Sequence, residues 1–378
     1  MKPRTALFAA MLLTTGAAAL TAGCAAGGER TSAADRDAPP IAPQKLVQLR
    51  EQALQRLLQL TAHPHPQVRA NAVEALTLAP AALATVARRM LADENLGVRF
   101  AAAMAVGRTQ LAEARDWVRP LLSDPSPVVR AAAIYALRRL GEEADPTFLA
   151  SLLTDAADPK QRATAAFILG ELGEASAIPL LKDAARRPMP RASLIELRLL
   201  RLQIAEALVK LGEERAVETI RAALYPSRPE ELEATALACQ IIGEVRDRRA
   251  ADQLIYLTAL QGQRRPPAEV RLAAAEALAK LGLRSGGFIA DELAEDPNPA
   301  IRSQCASVYG WAGRARDVAA LEKLLADPSP LVQAAAAAGL LRAAKLRSAA
   351  PDGGVGLTTT RSTGPQTHAA SLQRGWGV

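Results

Sequence analysis

The sequence predicts an all-α chain, an α-solenoid of about nine helical hairpins. Three observations predict it. A phrase recurs: "DPSPVVRAAAIYALRRLG" at 124–141 returns as "DPNPAIRSQCASVYGWAG" at 296–313 and "DPSPLVQAAAAAGLLRAA" at 327–344. Apolar residues make up 49% of the chain but aromatics only 3%, so alanine and leucine carry the apolar content, which suits closely packed helices better than sheets. The 378 residues exceed what one compact core usually spans, and a stack of small units escapes that limit.

The first element in chain order is an address. Lys2 and Arg4 precede an uncharged, mostly apolar run from Thr5 to Gly23, the pattern of a secretory signal too short to span well as a mature helix. The run closes on "LTAGC", and Ala22, Gly23 and Cys24 resemble the lipobox of bacterial lipoproteins. Thr21 stands where a large aliphatic residue is usual, with Leu20 one step earlier. The resemblance implies cleavage before Cys24, a diacylglyceryl group on its sulfur and usually an acyl chain on its amine. Two or more such chains hold a protein stably on a bilayer. The expected location is extracytoplasmic, in the cell envelope, anchored by lipid to a membrane; ordinary secretion is the alternative. Residue 25 is Ala and not Asp, which in enterobacteria-like sorting favours the outer membrane over the inner.

Residues 24–43 follow as lipidated cysteine and flexible tether, rich in Gly, Pro, Ser and charge. The segment 347–378 has the composition of a disordered tail. Between them, 44–346 is the helical array. The net charge of +7 and pI of 9.6 overstate the array's basicity: without leader, tether and tail about +3 remains. Lys345 lies just inside the array's end, so the +3 is the charge left when residues 345–378 are set aside with the leader and tether; such a body has no strong field for nucleic acid, and no nucleic-acid partner is expected.

Within the array the arginine of the recurring phrase sets a register. Arg69, Arg99, Arg130, Arg162, Arg201, Arg271 and Arg302 align, with Leu232 and Gln333 in the same slot of two further copies. The steps lie near 31 residues, with two of 39, the signature of a repeat array. With this slot as zero, small or apolar residues recur at −1, 3, 4, 6, 7 and 10. In the third copy these are Val129, Ala133, Ile134, Ala136, Leu137 and Leu140, one broad buried face of a helix. Asp-Pro-x-Pro opens the helix and Gly141, Gly173, Gly212, Gly282 or Gly313 closes it. A second apolar segment precedes each phrase, as in "PTFLASLLTD" and "RDVAALEKLLAD", so each unit is a hairpin. One hairpin cannot bury its face alone; stacked neighbours make the core continuous.

These units resemble HEAT repeats, in particular the short bacterial phycobilisome-lyase HEAT-like repeats, over roughly 44–344. In the family an Asp six residues before the Arg forms a ladder with it along the stack. Asp93–Arg99, Asp124–Arg130 and Asp296–Arg302 keep that spacing, while His63 replaces Asp in the first copy and Gln333 replaces Arg in the last. The ladder arginines are expected to be structural. The terminal copies are expected to degenerate because each has one neighbour.

Chemistry-bearing patterns are few. His63 and His65 share one turn, "HPHP", without nearby Cys or suitable carboxylates, a poor metal site. No HExxH, GxSxG, P-loop or CxxC occurs. The His-Glu pairs on which deoxyhypusine hydroxylase, a HEAT-type enzyme, relies do not occur either. No catalytic residue, metal, cofactor or small-molecule substrate is expected. Cys239 and Cys305 fall on buried slots two copies apart, about 20 Å if helices stack at 8–10 Å, beyond the roughly 7 Å a disulfide needs.

Two surfaces are candidates for a partner. In such solenoids the second helices line the concave face, and slots 2, 5 and 9 point outward there. Met104, Tyr135 and Phe167 at slot 5, with Phe100 beside them and Arg108 and Arg139 at slot 9, suggest a shallow apolar groove with a mostly basic lip. Such a groove suits an extended peptide or amphipathic helix; packing between adjacent helices is the competing explanation. The two long steps insert "RRPMPRASL" and "QGQRRPPAEV" into the fifth and seventh hairpins. Arg186, Arg187, Arg191, Arg264 and Arg265 then project from one edge. The resulting expectation is a non-enzymatic, membrane-anchored scaffold that binds a protein or peptide. The alternatives are a structural envelope protein whose edge touches anionic lipid or cell-wall polymer, and an enzyme-associated protein of the lyase type. Palmitate fed to expressing bacteria should label the protein, and Cys24→Ser should abolish the label; an equally labelled variant contradicts the lipobox.

Overall fold

Asparagine, aspartate and proline set where the helices begin. In the computed structural model, which describes residues 41–283 and 285–349, Asn95, Asp158 and Asn298 each accept a hydrogen bond from the backbone N–H two residues on, satisfying a donor the helix cannot. Pro66, Pro127, Pro159, Pro299 and Pro330 take first helical positions, where a missing N–H costs nothing. Gly141, Gly173, Gly212, Gly282 and Gly313 end helices with φ between 61° and 95°; Gln110 and Arg246 do the same at φ 51° and 55° without being glycine. The leader, Cys24, the tether up to residue 40 and the tail after 349 lie outside the described residues, and so do the expectations made for them.

Eighteen helices result among the described residues, with no strand. They pair as nine hairpins. The first helices are α1 (Pro43–Leu60), α3 (Pro80–Leu91), α5 (Arg115–Val118), α7 (Thr147–Asp155), α9 (Ile178–Ala184), α11 (Val217–Ala222), α13 (Ala251–Ala259), α15 (Gly287–Leu293) and α17 (Ala315–Leu325). The second helices are α2 (Pro66–Ala75), α4 (Leu96–Thr109), α6 (Pro127–Arg139), α8 (Pro159–Leu172), α10 (Leu194–Lys210), α12 (Leu232–Val245), α14 (Ala268–Lys280), α16 (Pro299–Ala312) and α18 (Pro330–Ala349). The first helices form an outer layer and the second an inner one.

The solenoid closes. α18 packs along α1 and α2 as fully as neighbouring hairpins pack on each other. Leu49, Leu57, Val332 and Leu340, from opposite ends of the chain, belong to one core, and Lys45 pairs with Glu322 outside it. The nine inner helices therefore make a ring, and no copy is terminal. Short connections make each hairpin antiparallel, so one rim carries the turns within hairpins. The other rim carries the turns between hairpins and both ends of the described chain.

The arginine ladder runs along the first rim. Arg69 holds Asp93 of the next copy through Nε (2.8 Å) and Nη2 (2.7 Å), Arg99 holds Asp124 at 2.7 and 3.0 Å, and Arg302 holds Asp327 at 2.8 and 2.9 Å. In each, Nη1 donates to the backbone carbonyls six and five residues upstream. At the ring seam the ladder stops on both sides at once. Gln333 keeps only the bond to the Asp327 carbonyl, 2.7 Å, and His63, which stands in the aspartate slot it would face, accepts from the His65 backbone N–H. These substitutions mark a seam between neighbours, where a free end was expected.

The inner helices approach in pairs. A Cβ on Gly107 would meet the Tyr135 ring at 2.5 Å, on Gly170 the Ala207 Cα at 2.8 Å, on Gly243 the Ala277 Cα at 3.0 Å, and on Gly310 the Gly339 Cα at 2.6 Å. Copies two and three, four and five, six and seven, and eight and nine are thus pressed together, backbone against backbone, and the other joints are looser. This pattern also corrects one register. Gly107, Gly170 and Gly310 all sit at slot 8, so Gly243 assigns slot zero of the sixth copy to Thr235, three residues beyond Leu232. Thr235 is fully buried and its hydroxyl donates to the Ala223 carbonyl at 2.9 Å. Gly310→Ala should cost about 1–3 kcal/mol by forcing two helices apart, read from the midpoint of urea unfolding. An unchanged midpoint contradicts the close approach.

Candidate functional site

Closure turns the expected open groove into a lumen. Slots 5 and 9 of the inner helices face it. Met104, Tyr135 and Phe167 are only 2%, 2% and 4% exposed, so the expectation that they line an open surface fails. In a ring these slots meet neighbouring and opposite helices instead of solvent. The Tyr135 ring fills the space over Gly107, which is the packing alternative realised.

The lumen is charged, and its charges balance. Glu74, Glu171, Glu206, Glu244 and Glu276 pair with Arg108, Lys210 and Lys280. Arg139 and Arg342 add positive charge that reaches these carboxylates, and each keeps its Nε buried without a hydrogen-bond partner among the described residues. Arg108 reaches Glu74 at 3.5 Å and Glu171 at 3.8 Å. Lys210 lies 2.6 Å from both Glu171 and Glu206. Lys280 pairs with Glu276 at 3.0 Å and with Glu244. Phe167 is flanked by Arg108 and Lys210 at 5.9 and 5.3 Å, and Trp311 by Lys280 and Arg342 at 5.3 and 4.5 Å, so aromatic faces share the cations. Glu244, on the inner helix of the sixth copy, adds its charge to those acting on Glu74 across the ring. Burial pushes the Glu74 carboxyl up to about 8, more than Arg108 and Arg342 draw it down. Burial likewise lowers the pKa of Arg342, against the pull of Glu276 and Glu244.

Part of the lumen stays open as a cavity of about 240 Å³ at the rim of the hairpin turns. Its walls are Leu96, Phe100, Ala101 and Met104 of α4, Pro127 and Val128 of α6, and Thr164 and Phe167 of α8; Glu74 and Arg108 form its polar floor. Small residues at slot 2, Ala101 and Thr164, leave the room. Of the six residues expected in a groove, Phe100, Met104, Phe167 and Arg108 line this cavity and Tyr135 and Arg139 do not. Glu74 was missed, because nothing in one copy signals that an acid in the first and an arginine in the second meet above a cavity.

The edge arginines all lie on the same rim as the cavity mouth. Arg186, Arg191 and Arg264 are exposed. Arg187 pairs with Asp183 at 2.8 Å and Asp155 at 3.5 Å, and Arg265 pairs with Glu292. His65 caps α2 by accepting from the Gln67 backbone N–H, and among the described residues no three metal-binding side chains gather. Cys239 and Cys305 are buried and free, and burial pushes both thiols up to about 12.

The family model for HEAT repeats matches residues 53–138, 84–159, 146–238 and 258–341. The chain belongs to the HEAT-repeat family. No curated protein sequence matches it significantly. Among solved structures, this HEAT ring is similar to the complex of CpcE and CpcF of phycocyanin lyase from Nostoc sp. PCC7120, at 17% identity over 71% of this chain and 98% of that one, TM-score 0.39. It is also similar to human deoxyhypusine hydroxylase in complex with glycerol, at 22% identity over 68% and 95% of the two chains, TM-score 0.35. A designed armadillo repeat protein matches at 18% identity over 52% and 99%, TM-score 0.33.

The buried Glu74 makes the HEAT ring's stability depend on pH. Its folded carboxyl binds a proton more tightly than the unfolded one, whose value is near 4.5. Stability should therefore fall as pH rises from about 4.5 through about 8. Glu74→Gln should remove that descent in urea unfolding followed across pH, and a variant with the wild-type slope contradicts it.

Proposed function

We propose that this HEAT ring is a non-enzymatic scaffold that binds a protein or peptide partner, held to a membrane outside the cytoplasm through a lipidated Cys24. The cavity carries the reading. Phe100, Met104 and Phe167 offer an apolar wall of the kind that takes an anchoring side chain, and Glu74 and Arg108 give it a polar floor. Only the cavity and not the whole concave face is offered, because ion pairs occupy the rest of the lumen.

The fold's polarity agrees with tethering. The chain enters α1 at the rim opposite the cavity mouth, which suits a tether that joins the ring away from the partner's side. No described helix is long and apolar enough to cross a membrane, and a lipid needs none.

Capture from detergent-solubilised envelope tests the proposal. A stoichiometric protein should copurify with the wild type, and Phe100→Asp at the mouth should weaken its capture by about tenfold or more, with a melting temperature close to wild type. Capture of the same partner at full strength by Phe100→Asp contradicts the cavity, and no partner at all contradicts the scaffold.

A further inference from the structure

We propose that Arg130 and Arg162 form a receptor for the carboxylates of an acidic, extended segment of a partner protein. The inference deepens the scaffold reading and rests on it. The ladder itself shows what these arginines hold. In all three Arg–Asp rungs, Nη1 is fixed on two upstream carbonyls while the Nε/Nη2 edge grips the aspartate of the next copy. Arg130 is mounted the same way, its Nη1 donating to the Asp124 carbonyl at 2.7 Å and to that of Pro125 at 3.4 Å. The Phe148 ring lies 4.7 Å from its guanidinium carbon. No carboxylate of the described chain meets its gripping edge, because Ala156 occupies the aspartate slot of the next copy.

Arg162, the adjacent rung, repeats the mismatch more sharply. It is 8% exposed. Its Nε donates to the Ala156 carbonyl at 2.7 Å, and its Nη1 is buried without a partner. The aspartate slot of the following copy holds Ile195, set in the first turn of α10. Burial and the nearby Arg187 both disfavour its charge, while Asp155 favours it. A buried cation with an unmet donor is costly until an anion arrives. Arg186 and Arg191 of the insert add exposed positive charge, and Arg187 is already shared by Asp155 and Asp183.

Geometry sets the ligand. Rungs on neighbouring helices stand about 10 Å apart, and a peptide extended in the polyproline II conformation advances about 3.1 Å per residue with about three residues per turn, so every third side chain lies on one face. Carboxylates three residues apart on an extended peptide therefore match the two arginines, each taken by the bidentate bond an arginine fork makes.

The missing rung can be restored. Ala156 has φ −59° and ψ 133°, the backbone conformation of the rung aspartate Asp124, φ −58° and ψ 139°. Ala156→Asp should grip Arg130 from within the chain, raise the melting temperature and shut out the peptide.

The full chain, in detergent, is titrated against a fluorescein-labelled peptide with Asp at every third position and against its Asn counterpart. The Asp peptide should bind. Affinity should fall by about tenfold with the Asn peptide and with Arg130→Gln/Arg162→Gln, and to nothing measurable with Ala156→Asp. Arg99→Gln, which breaks a complete rung, should lower the melting temperature and leave peptide affinity unchanged. Equal binding of the two peptides, or undiminished Asp-peptide binding by the double variant or by Ala156→Asp, overturns the inference. So does binding of phosphatidylglycerol vesicles through these arginines with no binding of the Asp peptide. A captured protein partner whose affinity ignores both arginines overturns it and leaves the scaffold standing. Absence of any captured partner removes the scaffold, while the peptide titration still decides the receptor.

Discussion

Ring closure is the constraint from which the remaining structure follows. Once α18 seats on α1 and α2, the inner helices have no open concave side. Every side chain at slots 5 and 9 must find its partner within a narrow lumen. An isolated buried charge is expensive, so the lumen holds acids and bases in equal number among the residues named above, with Phe167 and Trp311 taking surplus cation contact. Glu74 shows the limit of this compensation: among the described residues the cation it pairs with is Arg108 at 3.5 Å, and its carboxyl keeps its proton to about pH 8.

Closure also governs how tightly the copies sit. Four glycines, Gly107, Gly170, Gly243 and Gly310, bring alternate inner helices into backbone contact, and the joints between those pairs stay wider. The cavity spans one wide joint, between the third and fourth copies. The same joint is where the ladder loses its aspartate, at Ala156. An unsealed joint and an unpaired arginine therefore coincide on one rim, the rim away from the chain's own ends. The two places proposed for a partner thus fall where the repeat is least regular.

Much of the architecture was legible in the residues. The recurring Asp-Pro-x-Pro…Arg phrase marked the hairpins, and Gly141 or Gly313 marked helix ends that the backbone confirms. The positions of Cys239 and Cys305 predicted buried, unpaired thiols. Other features were hidden for identifiable reasons. The sixth copy has no arginine at the slot, so spacing points to Leu232, and only the contact of Gly243 with Ala277 moves the slot to Thr235. The slot-8 glycines stood in plain view, but a glycine inside a helix does not say which neighbour it admits. Tyr135 was assigned to a groove because slot 5 points along the inner face, and its burial depends on Gly107 of another copy.

What the sequence by itself determined is therefore local and nearest-neighbour. Helix starts, helix stops, the buried face of each copy and the ladder from one copy to the next are set by residues within about one repeat of each other. Whether the stack remains open or closes was decided only in the tertiary structure. Curvature is the sum of nine small rotations, each set by side-chain volumes at a joint, and a few degrees per joint separate an arc from a ring. Closure then reassigns slots 5 and 9 from solvent to a lumen, and brings Arg342 of the last copy near enough to Glu74 of the first for its charge to draw the carboxyl's pKa down. No pattern confined to one copy contains that meeting, because it exists only when the two ends of the chain touch.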